Sequence, residues 1–324
     1  MVSIVIPMYN VERVILRTIK SILEQEIDNM EILLVDDCST DSTYSICKKY
    51  IADNKISNIS VIKNEKNAGP SYTRNRGMKI AKGNYLVMLD ADDYYEKNTI
   101  KKMLETMQGK SLVITGIKYK KNNNEKIITN NMIQCNEEIQ KNKIVKIYLE
   151  GLLNQPSNKM YDLQLIKENN IEFNENSKYG EDLEFNLKYL QYVEKIFMIN
   201  EPLYVYHETK SGLNSTYKSD ELEIDRKNFE YRLERFEEYC SISESEKKEL
   251  YTRYIRDRAR LYYRYEKYDK RHNKKEFMNE QIEKDDFNKI LNESNFNNKQ
   301  QRIIKQLTKK KMFFILRIYM KLAK

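Results

Sequence analysis

The sequence of 324 residues predicts an α/β fold with a doubly wound, mostly parallel sheet, followed by an all-helical C-terminal region. Two observations predict the sheet. Short apolar runs alternate with stretches whose apolar residues recur at helical spacing, and several of the predicted strands end in polar clusters. The helical region is predicted from a third observation, a change near Lys218 to charged stretches with a helical apolar repeat.

The first predicted strand is the β-branched run from Ser3 to Ile6, which Pro7 ends. A helix follows, and Asn10 is a candidate N-cap for it. The second strand is predicted at Glu31 to Val35 and the third at Ile59 to Ile62. Helical stretches separate these strands, which predicts parallel pairing through crossover helices.

The fourth predicted strand, Tyr85 to Leu89, is followed by the acids Asp90, Asp92 and Asp93. Ligands of open α/β sheets bind at the carboxyl ends of the strands, and residues i and i+2 of an extended chain point the same way. Asp90 and Asp92 can therefore converge, although two carboxylates repel unless a cation lies between them. Oxygen ligands suit Mg²⁺ or Mn²⁺. The alternative is a solvated acidic loop.

Further elements are predicted after this strand. Lys120 to Asn131 is rich in asparagine and lysine, which predicts an exposed hairpin tip or loop. Ile139 to Leu153 is predicted to be helical and is broken by Gln155 to Lys159. Another helix is predicted to open at Gly180, and Phe197 to Val205 is a further apolar segment. These elements extend the α/β domain, for which we predict residues 1–217.

Residues 218–324 are predicted to be helical. Ser243 to Glu246 has the form of a capping box and opens the second helix of this region. Tyrosines recur along that helix, and their spacing favours a packed seam over a platform for stacking nucleic-acid bases. The residues of the predicted seam are Leu250, Tyr254, Leu261, Tyr265 and Tyr268.

The last 31 residues have no acid, so they account for the net charge of +8. The basic residues after Ser294 are Lys299, Arg302, Lys305, Lys309, Lys310, Lys311, Arg317, Lys321 and Lys324. One apolar helical face, interrupted by Lys311, is predicted from Ile304, Leu307, Ile315, Ile318 and Leu322. A basic amphipathic helix is typical of helices that lie in an anionic membrane interface. The alternative is a helix docked on the protein or on an oligomer partner.

Several classes of protein do not fit the sequence. Its four cysteines form no CxxC pair, which favours reduced thiols in a cytosolic protein, and two histidines argue against a His-rich zinc site. The N-terminus lacks the pattern of a signal peptide, and no apolar run approaches the ~20 residues of a membrane span. The sequence contains neither a GxGxxG motif after a strand nor a GxxxxGK[ST] motif, which excludes a Rossmann-type dinucleotide-binding protein and a P-loop nucleotide-binding protein.

The strand-end motifs, taken in order, resemble those of family 2 glycosyltransferases of the GT-A fold. The motifs are IVIPMYN (4–10), DDCSTDST (36–43), NAGP (67–70), TRNRG (73–77), AKGNY (81–85) and LDADD (89–93). Gly180–Phe185 and Pro202–Tyr206 also resemble the bacterial polysaccharide branch of that family. The resemblance covers about residues 3–216 and does not extend to the helical region.

The resemblance implies a sugar-nucleotide donor and a divalent cation, Mn²⁺ or Mg²⁺, that neutralises the diphosphate leaving group. It makes Asp92 a metal ligand and Asp90 a contact to the donor ribose or the metal. Asp36 would accept a hydrogen bond from the base, for which uracil N3 or a guanine edge carries a donor. The residues that would border the nucleotide are Pro7, Tyr9 and Glu12.

The remaining site residues are assigned by the same resemblance. Arg74 is preferred as a phosphate contact and Arg76 is the alternative, because guanidinium groups suit phosphate; either can instead lie on a solvated helix face. The general base is assigned to Asp182 with Glu181 beside it, since adjacent carboxylates raise one pKa. Acids at a helix N-terminus are also favoured by the helix dipole alone. His207 is a candidate metal or diphosphate ligand, or a structural residue.

We therefore predict a metal-dependent, inverting glycosyltransferase of the hexosyltransferase type, with UDP as the expected nucleotide. The predicted acceptor is a cell-surface glycan or lipid-linked molecule at the inner face of a bacterial cell membrane, with no nucleic-acid partner. The alternatives are a basic nucleic-acid-binding protein, which leaves the acidic strand ends unexplained, and an α/β nucleotidyltransferase, whose expected Gly-rich or basic N-terminal signature is missing. The sequence leaves the donor sugar, the acceptor and a homo-oligomeric state open.

Overall fold

A computed structural model describes residues 1–25, 27–109, 111–121, 124–130, 137–177, 179–207, 220–269, 273–284 and 287–322. The chain forms two compact units, Met1–Gly212 and Leu213–Lys324. The first contains a sheet with helices, and the second is helical. The predicted α/β fold with a C-terminal helical region is confirmed.

The first unit is built on one mixed sheet. Its described strands are β1 (Val2–Met8), β2 (Met30–Asp36), β3 (Ile59–Lys63), β4 (Tyr85–Met88), β5 (Tyr94–Tyr95), β6 (Ser111–Lys121), β7 (Asn124–Ile128), β8 (Glu137–Glu138), β9 (Lys159–Asp162) and β10 (Lys195–His207). Their order is β3-β2-β1-β4-β9-β6-β10-β5, with β7 on β6 and β8 on β10. The first four strands pair in parallel, as predicted, and β9 enters antiparallel between β4 and β6.

Helices connect these strands. Those of the first unit are α1 (Ile15–Leu23), α2 (Thr43–Asp53), α3 (Gly69–Ile80), α4 (Thr99–Thr106), α5 (Ile144–Leu149), α6 (Leu163–Glu168) and α7 (Glu181–Leu190). The helix predicted at Ile139 to Leu153 is much shorter, because Lys141–Lys143 forms a 3₁₀ turn and Gly151 has a φ of +90°. A positive φ ends a helix and favours glycine.

Helix α3 lies unusually close to the sheet. A Cβ atom at Gly77 would stand 2.3 Å from Cγ1 of Val5 in β1, so only glycine allows this approach. The close packing fixes the rotation of α3 about its axis. One turn before Gly77, it leaves Arg74 buried.

The prediction that Asn10 caps α1 is wrong. The helix begins at Ile15 after Val14, and Asn10 has a φ of +52°. Its Oδ1 instead accepts hydrogen bonds from the backbone N–H groups of Thr40 and Asp41. The side chain therefore joins the loops that follow β1 and β2, a tertiary contact that competes with local capping.

Two elements beyond the central strand organise the other half of the sheet. In the described part of the asparagine-rich segment, predicted as a hairpin tip or loop, β6 and β7 pair antiparallel up to Lys121 and Asn124, as in a hairpin. Strand β10 runs parallel to β6, with a register shift between Ile199 and Tyr204. After the shift, Tyr204 pairs with Tyr95 of β5, and the strand continues to His207.

The second unit is helical throughout its described part. Its helices are α8 (Glu221–Cys240), α9 (Glu244–Tyr268), α10 (Lys274–Lys284), α11 (Phe287–Asn292), α12 (Asn298–Lys309) and α13 (Phe313–Leu322). The predicted capping box is confirmed, since Ser243 Oγ accepts from the Glu246 N–H and the Glu246 side chain accepts in return. Of the predicted seam, Tyr254 and Tyr265 are buried, whereas Tyr268 is exposed. Within the described residues, no helix has both the length and the apolar character to cross a membrane.

The tail does not form the single apolar face that its spacing predicts. Helices α12 and α13 are separated by a break at which Lys311 has a φ of +53°. Ile304 is fully buried, whereas Ile315, Ile318 and Leu322 are exposed. Because the break rotates one helix against the other, the two segments present different sides. Lys324 lies outside the described residues.

Candidate active site

Acidic side chains meet beyond the carboxyl end of β4. Asp90 follows the strand by two residues, and Asp182 lies in the first turn of α7. Arg74 of α3 joins them: its Nη2 donates to Asp90 Oδ1 over 2.7 Å and its Nη1 to Asp182 Oδ1 over 3.0 Å. Three segments far apart in sequence are thus held together by one guanidinium group.

Arg74 is a fixed cation. Its side chain is buried and its guanidinium stands over the Phe173 ring, 5.3 Å from the centroid. Burial lowers the pKa of Arg74, but the carboxylates of Asp182 and Asp90 raise it further, so that the net shift is upward. The ion pairs with Asp90 and Asp182 therefore persist at any pH at which these carboxylates are ionised.

Asp182 is a carboxylic acid with an altered pKa. It follows Gly180, whose φ of +78° turns the chain into α7, and 30% of its side chain remains exposed. The pKa of Asp182 is raised to about 7. Burial is the largest cause; Arg74 lowers the pKa, and the neighbouring Glu181 and Asp90 raise it. A carboxylate with a pKa close to neutral pH, open to solvent on one side, is suited to accept a proton from a bound hydroxyl.

The loop that contains Ser157 is tied to the site by a hydrogen bond. Ser157 Oγ donates to Asp90 Oδ2 over 3.2 Å. The buried Lys159 Nζ donates to the carbonyl oxygens of Leu152 and Gln155, at 2.9 and 2.5 Å, and to Asn158 Oδ1 at 2.8 Å. Lys159 therefore fixes the shape of the 152–158 loop that presents Ser157. The sequence marks Gln155 to Lys159 as a break between elements, and no individual role is predicted from it for Ser157 or Lys159.

The predicted base contact, Asp36, ends β2 and is fully buried. Its Oδ2 accepts from the Ser39 N–H, whereas Oδ1 is buried with no hydrogen-bond partner in the described part of the chain. Buried polar atoms are rarely left unpaired, so Oδ1 has the chemistry to take an N–H donor from a ligand.

The other residues predicted to border the nucleotide surround the ends of β1 and β2. Pro7 lies in β1, opposite Val35 in the parallel register, and Tyr9 follows the strand with an exposed side chain. Glu12 links the two loops, because its N–H donates to Asp41 and its Oε2 accepts from the Ser42 N–H. The structure thus places these residues beside Asp36, and their contact with a nucleotide stays a prediction.

Arg76 is separated from the carboxylates that bind Arg74. Its Nη1 donates to the Lys63 carbonyl oxygen and to Asn64 Oδ1, at the end of β3. Of the two arginines, the structure brings only Arg74 to Asp90 and Asp182. A donor contact of Arg76 stays a prediction.

His207 is held at the end of β10 by Asp93. Asp93 Oδ1 accepts from the His207 backbone N–H over 2.8 Å, and Oδ2 accepts from the Tyr204 hydroxyl. Burial and the nearby Arg17 lower the pKa of His207, while Asp92 opposes that shift, and the net effect favours the neutral imidazole. Among the described residues, its Nδ1 is buried without a hydrogen-bond partner. A neutral imidazole with an available nitrogen is a competent metal ligand.

The side chains at this position can hold a metal ion only if a bound substrate supplies further ligands. No group of three or more His, Cys, Asp or Glu side chains able to hold a metal occurs within the described residues. Asp92 and His207 interact electrostatically and would supply one oxygen and one nitrogen. Mg²⁺ is commonly held by one or two protein ligands plus substrate phosphates. Both oxygens of Asp90 already accept hydrogen bonds, from Arg74 and Ser157, and its role as a ligand stays a prediction.

Two further cationic side chains, Arg17 and Lys120, lie beside Asp92 and His207. Neither was predicted to be a site residue. Arg17 Nη2 donates to the Asp92 carbonyl oxygen, and its guanidinium stands 5.0 Å from the centroid of the Tyr94 ring. Lys120 Nζ lies 5.7 Å from the same ring centroid. Arg17 has no sequence signal beyond its place in α1, and Lys120 was assigned to a hairpin. Both add positive charge where an anionic group would bind.

A profile of the family described as glycosyl transferase family 2 matches residues 3–169. The chain is 30% identical over 222 residues to the uncharacterized glycosyltransferase EpsJ of Bacillus subtilis, covering 66% of this chain and 62% of that protein. It is also 30% identical over 224 residues to poly(ribitol-phosphate) beta-N-acetylglucosaminyltransferase TarS of Staphylococcus aureus, covering 68% and 38% of the two chains. The chain therefore matches less than two thirds of the length of these two relatives.

Solved structures share the fold. The crystal structure of S. aureus TarS 1-349 in complex with UDP-GlcNAc has a TM-score of 0.66 at 22% identity, over 99% of this chain and 90% of that chain. The mannosyltransferase PcManGT from Pyrobaculum calidifontis, in complex with GDP-Man and Mn²⁺, has a TM-score of 0.54 at 15% identity, over 72% and 64%. These likenesses confirm the predicted GT-A-type fold.

Proposed function

Because this chain belongs to glycosyl transferase family 2, we propose that it moves a sugar, with inversion, from a UDP-linked donor to a hydroxyl group of a glycan or lipid-linked acceptor. The proposal rests on one observation, the two ion pairs that Arg74 forms with Asp90 and Asp182. They hold Asp182, a carboxylate with a pKa of about 7, beside Asp90 at the strand ends. A base poised near neutral pH is what sugar transfer to a hydroxyl requires.

In the proposed step, Asp182 accepts the proton of the acceptor hydroxyl. At the same time the oxygen of that hydroxyl forms a bond to the anomeric carbon of the donor. The bond from that carbon to the diphosphate oxygen breaks, and its electron pair leaves with the nucleoside diphosphate. Glu181 acts on this step through its charge, because it helps to raise the pKa of Asp182. Arg74 orients Asp182 and keeps its second oxygen available.

The donor half of the site is proposed at the ends of β1 and β2. The buried Oδ1 of Asp36 would accept the N3–H of uracil, with Pro7, Tyr9 and Glu12 at the border of the nucleotide. UDP is favoured because TarS, which shares the fold, was crystallised with UDP-GlcNAc. Arg17 and Lys120 would attract the diphosphate.

We propose that Asp92 and His207 hold Mn²⁺ or Mg²⁺ together with the donor diphosphate. When bound, such an ion neutralises negative charge on the leaving group. Asp93 positions His207 for this role through the hydrogen bond to its backbone. Support also comes from PcManGT, whose structure contains Mn²⁺.

The proposed acceptor is a cell-surface glycan or its lipid-linked precursor, reached at the inner face of a bacterial cell membrane. The name of the TarS relative, poly(ribitol-phosphate) beta-N-acetylglucosaminyltransferase, supports a polymeric acceptor. The basic tail supports a place near an anionic surface.

A thermal-shift panel tests the proposed function. UDP, GDP, CDP and a short DNA duplex are each added with and without Mn²⁺, because a ligand that binds only the native state raises Tm. We expect UDP with Mn²⁺ to give the largest shift and UDP alone a smaller one. Stabilisation by DNA with none by any nucleotide would contradict the proposal and favour a nucleic-acid-binding protein.

The pH dependence of the reaction follows from Asp182. Its pKa is raised to about 7, so the carboxylate is ionised above that pH and protonated below it. A protonated Asp182 cannot take a proton, so we expect kcat to fall about tenfold per pH unit below neutral. The measurement is kcat against pH, with UDP affinity measured over the same range as the control for binding. A kcat that stays constant well below neutral pH would contradict the assignment.

A further inference from the structure

Helix α13 has two apolar faces. Phe313, Leu316 and Met320 are buried in the core of the helical unit, where Tyr262 contacts Phe313. The opposite side carries Phe314, Ile315, Ile318 and Leu322, which we call the outer face. These side chains are 54%, 44%, 44% and 77% exposed. The inner face therefore explains why α13 docks on the protein, whereas most of the outer face is open to solvent.

The outer face is continuous. At about 100° per residue, its four side chains fall within an arc of about 100° along roughly two and a half turns of helix. Phe314 touches the ring of Tyr263, which fixes one end of the arc against α9. Such a contiguous exposed apolar surface on a folded protein marks an interaction site.

The segment that contains the outer face is basic. Lys305, Lys309, Lys310 and Lys321 are all exposed on α12 and α13 or at the break between them. Arg317 stands beside the face with its guanidinium 4.7 Å from the centroid of the Tyr263 ring. No acid occurs from Ser294 to the end of the chain, so this segment carries charge of one sign only.

We propose that the outer face of α13 docks the protein on an anionic membrane surface. Phe314, Ile318 and Leu322 would enter the boundary between headgroups and acyl chains, while the lysines meet lipid phosphates. The inner face keeps α13 folded on the protein meanwhile, so docking needs no unfolding. The protein is then peripheral: it lies on the bilayer and does not span it.

Two other occupants match the surface less well. A second copy of this chain would form a two-fold contact, in which the basic residues of this acid-free segment face each other. Nucleic acid would satisfy the lysines but leave the apolar centre of the patch unused. An anionic bilayer satisfies both components. The inference goes beyond sugar transfer and depends on no residue of the active site.

The test uses the full-length chain, because removing the tail would also remove Ile304, Leu316 and Met320 from the core. Binding is measured by sedimentation with vesicles of equal parts phosphatidylcholine and phosphatidylglycerol, and with phosphatidylcholine alone. The face variant is Phe314→Gln/Ile318→Gln, both at exposed positions. Its control is Ile127→Gln, since Ile127 is 55% exposed in β7 of the other unit.

The charge variant is Lys309→Gln/Lys310→Gln. Its control is Lys48→Gln/Lys49→Gln, an exposed pair of adjacent lysines on α2. We expect the wild type to bind the anionic vesicles and to be released by high salt. We expect about a fivefold loss for each tail lysine removed and at least a tenfold loss for the face variant. Both controls should bind like the wild type.

Wild-type protein that stays in the supernatant with anionic vesicles would overturn the inference. So would a face variant that binds as tightly as wild type, or wild-type binding that is equal on phosphatidylcholine alone. Gel filtration distinguishes self-association from membrane binding. If the wild type is a dimer and Phe314→Gln/Ile318→Gln is a monomer, the outer face mediates self-association, and the membrane assignment is overturned. These outcomes are independent of sugar transfer, which is assayed separately.

Discussion

Replacing Asp182 by asparagine is expected to slow sugar transfer by ~10² or more, the usual contribution of a general base. Asparagine is nearly isosteric and keeps an oxygen that can accept from Arg74, so the site should retain its geometry. It cannot take a proton from the acceptor hydroxyl. Donor affinity should therefore stay close to that of the wild type, and the loss should appear in kcat. The measurement is the rate of nucleoside diphosphate release with donor and acceptor present, together with the Kd for UDP.

Glu181→Gln is the matched control for Asp182→Asn. It removes a neighbouring charge that raises the pKa of Asp182. We expect only a modest change in maximal rate and a shift of the acidic limb of the pH profile to lower pH. If Asp182→Asn transferred sugar at the normal rate, Asp182 would be removed from the mechanism, and Glu181 or another acid would have to act as base.

Replacing Asp92 by alanine is expected to abolish metal-dependent binding of the donor without unfolding the protein. Asp92 lies in the turn after β4, outside the strand itself, and its side chain is only partly buried. Its carboxylate is one of the two protein groups proposed to hold the metal, so its loss leaves only His207. The measurement is UDP affinity with Mn²⁺, with Tm as the check on folding. Chelation of the wild type by EDTA should have the same effect.

Asp53→Ala is the control for Asp92→Ala, since Asp53 is an exposed acid at the end of α2. It should leave UDP affinity and its dependence on Mn²⁺ unchanged. Full turnover by wild-type protein in EDTA after metal removal would contradict the proposed metal requirement. It would leave Arg17 and Lys120 as the groups that neutralise the diphosphate.

The strands and their polar ends could be predicted from sequence because each is a local pattern. Tyr85 to Leu89 is an apolar run followed by acids, and the structure places β4 there with Asp90 beyond its end. Which of Arg74 and Arg76 lies at the site could not be predicted in this way. The two are about 200° apart around one helix, and which side faces the sheet depends on the approach that Gly77 allows. That approach is a tertiary property that local spacing does not contain.

Residues that act through long-range contacts were the ones missed. Ser157 and Lys159 lie within a predicted break that has no periodic signal, yet Ser157 contacts Asp90 and Lys159 shapes the loop that presents it. Asn10 was assigned to a local cap because nothing local shows that the loop after β2 lies within reach. The tail was predicted as one face because the break at Lys311 has no glycine or proline to mark it.

The most direct measurement is release of nucleoside diphosphate from sugar nucleotides by wild-type protein and by Asp182→Asn, with Mn²⁺ and a glycan acceptor. UDP-GlcNAc is the first donor to try, since it is bound in the TarS structure that shares the fold. The predicted result is acceptor-dependent release of UDP by the wild type, with formation of the glycosylated product, and release by Asp182→Asn that is ~10² slower or more. Release of no diphosphate from any UDP-, GDP- or CDP-linked sugar, or equal rates for the two proteins, would contradict sugar transfer with Asp182 as the base.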